Sequence, residues 1–224
     1  MSSFLAAIAT FILSHMIPMR PRFRNFFEQR LGRTGFLIGY SALSLVVIYW
    51  LGYSFSQAPY IELWRWTEAA AWLPVILMPF ACVLVVAGLS SRNPFSLGLG
   101  KKDYDPSQPG ITSVTRHPVL WGLILWSASH IPVNGDVAGL ILFGLMLMLS
   151  VAGTMMMERV RRRKFSPEVW QRYLTATASI PFSRLGSIDW RGVGWLRIVA
   201  GGLLYLILLF GHQPIIGIAP PLLY

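Results

Sequence analysis

Long apolar stretches alternate with short basic ones along the whole chain. Six of the apolar stretches approach the length of a spanning helix, about 20 residues: 2–18, 34–54, 69–90, 118–131, 137–157 and 193–211. No segment of soluble-domain size lies between them. The pattern therefore predicts a single domain over 1–224, an all-α polytopic membrane bundle of about six transmembrane helices. The fourth stretch is short. Its residues, 118–131, span about 21 Å as a helix, against a hydrocarbon core of about 30 Å. Pro118 suits a first helical turn, where its missing N–H costs nothing, and this leaves His117 at the cap. A Pro132-Val133-Asn134-Gly135 break then returns the chain, so spans four and five form a hairpin. Between Phe165 and Trp190, Ser166-Pro167-Glu168 reads as a helix start. Val169, Trp170, Tyr173 and Leu174 then recur at the spacing of an interfacial amphipathic helix that ends at Pro181-Phe182.

Composition agrees with the pattern: the chain is 54% hydrophobic and only 12% charged, where soluble proteins carry about 25% charged residues. The formal charge of +10 could point to nucleic acid, but its distribution excludes that partner. Eighteen of the nineteen Lys and Arg fall in three alternate connecting segments: 20–33, 92–116 and 159–197. Arg65 alone lies in another. Positive charge collects in cytoplasmic loops, so the expectation is a membrane protein with its three basic segments in the cytoplasm and both termini outside. Cys82, the one cysteine, rules out an intramolecular disulfide and reads as a small buried hydrophobe. The start, Met1-Ser2-Ser3-Phe4, has no basic segment or Ala-x-Ala site, so the first stretch reads as retained.

The four histidines, His15, His117, His130 and His212, all fall at ends of spans. Ionisable groups at membrane depth are costly and mark function by default. The topology puts His15 and His117 near the inner side, and His130 and His212 near the outer side. Thirteen helical residues, about 20 Å, separate His117 from His130, so those two do not share an ion. The candidate metal pair is His15 with His117, and the alternative pair is His130 with His212. At a helix N-terminus beside Arg116, the His117 imidazole is expected to stay neutral with a lone pair for haem iron or another transition metal. The same N–H groups and Arg116 would hold a carboxylate, from a haem propionate or another cofactor. The bland alternative is that each histidine merely bonds a carbonyl or water at the interface.

The stretch Thr115-Arg116-His117-Pro118-Val119-Leu120-Trp121-Gly122, with Trp126, Ser129-His130 and Asn134-Gly135-Asp136, resembles the core of the NnrU family of bacterial membrane proteins. Ser14-His15-Met16-Ile17-Pro18 looks like that family's first span. Ser179-Ile180-Pro181-Phe182 and the segment from Tyr205 to Pro220 look like its ending. The resemblance implies a role in denitrification or, through plant relatives that are haem b carotenoid isomerases, isoprenoid chemistry on a hydrophobic small molecule. In that reading His117 takes the family's ligand position, and depth favours His15 as its partner.

A wider resemblance points elsewhere. Arg116-His117-Pro118 with Glu158-Arg159 and Trp170-Gln171-Arg172-Tyr173 is similar to membrane methyltransferases of isoprenylcysteine and phospholipids. It implies that Arg116, His117 and Glu158 contact S-adenosylmethionine, although topology-setting charge also accounts for the basic run after Glu158. Three functions are therefore open: a haem-binding redox or isomerase protein, a methyltransferase, and a non-enzymatic accessory protein whose histidines tie helices together. A visible haem spectrum separates the first from the others.

Overall fold

The structure is a computed structural model that describes residues 1–18, 20–98 and 104–223. Nine α-helices run in order among them: α1 (Ser2–Met16), α2 (Pro21–Ser56), α3 (Glu68–Ser90), α4 (Ile111–Val114), α5 (Pro118–Asn134), α6 (Val137–Arg162), α7 (Pro167–Ala176), α8 (Trp190–Val193) and α9 (Trp195–Ile216). No strand occurs among the described residues, so the expected all-α class holds. Four helices, α2, α3, α6 and α9, are long and apolar enough to cross a membrane. This makes the chain a multi-pass membrane protein. The other two expected spans are shorter helices, the apolar α1 of 15 residues and α5 of 17.

The chain divides into two compact units. The first comprises Met1–Leu63 and Asp136–Leu142. Here α1 packs along α2, burying Phe4, Ala7 and Ile8, and the Phe4 and Phe55 rings meet at 5.8 Å. Helix α2 begins at Pro21, well before the expected 34, because the basic connecting segment is itself helical. Its apolar and basic side chains support one another: Arg24 pairs with Glu28 at 2.8 Å, and Arg30 lies 3.9 Å over the Phe26 ring. Gly32 then breaks the helix with φ 69°, ψ 165°, a conformation that glycine adopts without a side-chain clash. At the start of α6, the Asp136 carboxylate accepts from the Ala138 and Gly139 N–H groups, satisfying donors that have no partner within the helix.

The second unit comprises Trp64–Gly135 and Phe143–Tyr224, with α3 packed against α5 and α9. Thr67 caps α3, its hydroxyl accepting from the Ala70 N–H at 3.2 Å. Lipid offers apolar side chains no hydrophobic reason to leave it, so helices in a membrane adhere through close packing at small residues. That is the arrangement around α3. A Cβ on Gly88 would lie 2.8 Å from Pro118 Cγ, and one on Gly122 would lie 2.6 Å from Val85 Cγ2. The start of α5 is thereby seated against α3.

Helix α5 ends three residues later than the sequence suggests. Pro132 lies inside it, and the break falls at Gly135, which is left-handed with φ 32°. Side chains cover carbonyls that the end of the helix leaves open. Asn134 Nδ2 donates to the His130 carbonyl at 2.7 Å, and Trp64 Nε1 donates to the Pro132 carbonyl at 2.9 Å. Helix α7 starts at the expected Ser166 cap but stops at Ala176, short of Pro181, because the following residues turn to hold the segment before α5.

Candidate functional site

The site is built around the extended residues between α4 and α5. The Arg116 N–H donates to the Ala178 carbonyl at 2.7 Å, and the Thr115 hydroxyl donates to the Ser179 carbonyl at 2.9 Å. Trp121 Nε1 donates to the same Ser179 carbonyl at 3.0 Å. From the other direction, Asn93 Nδ2 donates to the Arg116 carbonyl at 3.0 Å while Asn93 Oδ1 accepts from the Phe95 and Ser96 N–H groups. The buried Arg116 backbone, which is neither helix nor sheet, thus has partners for both its N–H and its carbonyl. His117 then caps α5 and Pro118 opens it, as its sequence predicts.

The side chains of Arg116 and His117 converge on Glu158, near the end of α6. Arg116 Nη2 lies 2.7 Å from Glu158 Oε1, and His117 Nε2 lies 2.9 Å from Glu158 Oε2. Arg116 also donates from Nη1 to the Thr177 hydroxyl at 3.2 Å. Burial is graded: His117 is 1% exposed and Arg116 7%, whereas the Glu158 side chain is 30% exposed. Two cationic or polar donors therefore hold one carboxylate at the rim of the protein interior. An ionised carboxylate only accepts, so His117 Nε2 carries the hydrogen in this contact. His117 Nδ1 is buried with no hydrogen-bond partner among the described residues.

Beyond Glu158 opens a cavity of about 580 Å³, lined by Arg116, Glu158, Arg162, Phe165, Trp170 and Gln171 among others. This is within the range of small-molecule sites, which pair apolar and aromatic walls with a few polar anchors. Its aromatic side continues inward: the Phe95 ring packs against Tyr104, Trp170 and Tyr173 at 5.9, 6.0 and 5.5 Å. Burial pushes the Tyr104 phenol up to about 12, and its oxygen lies 2.8 Å from the Thr112 hydroxyl.

Compared with known families, residues 3–220 match the model of the family described as NnrU protein. The chain belongs to the NnrU family. No curated protein and no solved structure matches it.

In this NnrU family member, the predicted site residues fall into separate groups. Arg116, His117 and Glu158 come together. His15 lies in the first unit, where its Nδ1 bonds the Phe11 carbonyl at 2.8 Å and its ring faces Phe11 and Tyr40. His130 and His212 lie in the second unit, within electrostatic range of each other. Their Nδ1 atoms bond the Trp126 and Ile218 carbonyls, each at 2.7 Å. A carbonyl only accepts, so Nδ1 carries the hydrogen in all three and the lone pair is on Nε2, one of the two nitrogens through which an imidazole ligates a metal. His117 is the exception. Glu158 engages its Nε2 and the ring is buried, so the lone pair expected there for haem iron is not presented, and His117 as arranged does not fit an axial ligand. No group of three or more His, Cys, Asp or Glu arranged for a metal ion occurs among the described residues.

Residue-by-residue reading of the sequence missed Asn93, Thr177 and Ala178, which position the Arg116-His117 backbone. Asn93-Pro94 is a turn signature that could have marked the first. Thr177 and Ala178 carry no local signal, since their role comes from a pairing across 61 residues or more.

Proposed function

We propose that this NnrU family member is a membrane methyltransferase that binds S-adenosylmethionine in the cavity beside Arg116, His117 and Glu158. The observation that carries this reading is the Glu158 carboxylate, held by Arg116 and His117 yet 30% exposed at the cavity wall. The donor set fits the cofactor. Arg162 and the outer edge of Arg116 offer charge for its carboxylate, the free face of Glu158 suits its amino or ribose groups, and Trp170 and Phe165 offer aromatic faces. When bound, the cofactor supplies an electrophilic methyl group that a nucleophile on the substrate takes up, leaving the thioether. The chain's own contribution is to orient: Arg116 and His117 fix Glu158, and the aromatic wall excludes water. The substrate in this reading is a hydrophobic small molecule reaching the cavity from the bilayer, with the basic segments of the chain in the cytoplasm and both termini in the periplasm of the inner membrane.

Calorimetry of S-adenosylmethionine with the purified protein in lipid nanodiscs tests the proposal. Saturable one-to-one binding is expected, and no heat at millimolar cofactor overturns it.

A second reading is favoured by one specific observation, that His130 and His212 lie within electrostatic range of each other and both leave Nε2 with the lone pair. In it these two residues hold haem b through Nε2, for a redox or isomerase role linked to denitrification or isoprenoid chemistry. A Soret band in protein from haem-replete cells, lost in His130→Ala and His212→Ala, would support it over the first.

A further inference from the structure

We infer that the end of α6 carries a site for the phosphate of an anionic membrane lipid, formed by Arg159, Arg162 and Arg163. A second cavity of about 550 Å³ is lined by these three side chains alone. All three are exposed, and no carboxylate among the described residues pairs with any of them. Four other arginines are engaged with the protein. Arg116 holds Glu158, Arg161 Nε donates to the Phe95 carbonyl at 3.3 Å, and Arg184 Nη1 donates to the Thr175 carbonyl at 2.8 Å. Arg197 Nε donates to the Ser90 hydroxyl at 3.2 Å.

Topology-setting charge requires only that cations be present on one side, not that three of them face one cavity unpaired. Positions 159, 162 and 163 are three and four apart, so their side chains share a helix face, where like charges repel. The helix C-terminus offsets only about half an elementary charge of that excess. A phosphate neutralises the remainder and matches guanidinium geometry with paired N–H donors. The source is a lipid headgroup because these residues follow directly on the apolar part of a membrane-spanning helix, at the depth where headgroup phosphates lie. Arg162 lines this cavity and the one beside Glu158 as well, so the headgroup borders the cofactor site without depending on what fills it.

Native mass spectrometry of the full chain with phosphatidylglycerol or phosphatidylcholine tests this. Retained phosphatidylglycerol should fall at least about tenfold in the triple variant Arg159→Gln, Arg162→Gln, Arg163→Gln, and stay within about twofold of the unmodified protein in the equally charged control Lys164→Gln, Arg172→Gln, Arg191→Gln. Inorganic phosphate should not displace the lipid. Equal loss in both triple variants, no loss in either, equal retention of phosphatidylcholine, or displacement by inorganic phosphate each overturns the inference. If the triple variant melts early, Arg159→Gln alone is read by the same comparison against Lys164→Gln.

Discussion

His117 Nε2 lies 2.9 Å from Glu158 Oε2, joining residues 41 positions apart in the chain. The contact ties the cap of α5 to the end of α6, and it places the imidazole hydrogen on Nε2, so that the lone pair is left on the buried Nδ1.

Removing that carboxylate should cost stability. Glu158→Ala leaves a buried arginine and a buried imidazole without their acceptor, a loss on the order of 2 to 3 kcal/mol. Glu158→Gln keeps an acceptor oxygen and should cost less. Thermal melting of both variants in one detergent checks the order, and equal melting temperatures would mean that the three side chains are not coupled.

Helix packing gives a prediction of opposite character, since it adds atoms. Gly122→Ala forces a methyl group to within 2.6 Å of Val85 Cγ2 and 2.9 Å of the Ala81 carbonyl oxygen. Overpacking of this kind typically costs about 1 to 3 kcal/mol. Gly144→Ala meets nothing within 4 Å and should leave the melting temperature unchanged or slightly raised.

Tyr104 sets a pH dependence. Burial pushes its phenol up to about 12, above the ordinary value of about 10. The folded protein therefore keeps a proton that the unfolded chain releases, and the stability this adds is whole below pH about 10 and is lost as pH rises through about 12. Titration of tyrosinate absorbance should show a late-ionising tyrosine that Tyr104→Phe removes. A Tyr104→Phe variant with an unchanged titration curve would contradict the burial argument.

Orientation rests on the charge pattern. A reporter inserted at Ser107 should be active only in the cytoplasm, and one fused after residue 224 only in the periplasm. The opposite result at either point would reverse the assignment of sides.

Much of the architecture was legible because each signal was local. Apolar runs located the helices, Pro118 placed His117 at a cap, and Ser166 opened α7. Features that depend on several residues acting together were less visible. The basic segment before Gly32 looks like a connecting loop by charge alone, yet its Phe and Glu partners make it helical. Pro132 looks like a break, but the helix runs on to Asn134 and the turn falls at Gly135, where the backbone is left-handed. The convergence of Arg116, His117 and Glu158 came from family resemblance rather than from spacing, since nothing local to Glu158 distinguishes it from ordinary charge at a helix end. That His117 and the other three histidines use different ring nitrogens is a matter of three-dimensional partners, and no sequence pattern reports it.

The most direct test of the central claim is the equilibrium binding of S-adenosylmethionine across a variant series in nanodiscs. The account predicts that Glu158→Gln and Trp170→Ala each weaken binding about tenfold or more, while His130→Ala and His212→Ala bind like the unmodified protein. Binding that survives Glu158→Gln and Trp170→Ala unchanged, or that is lost in the His130 and His212 variants, would contradict it.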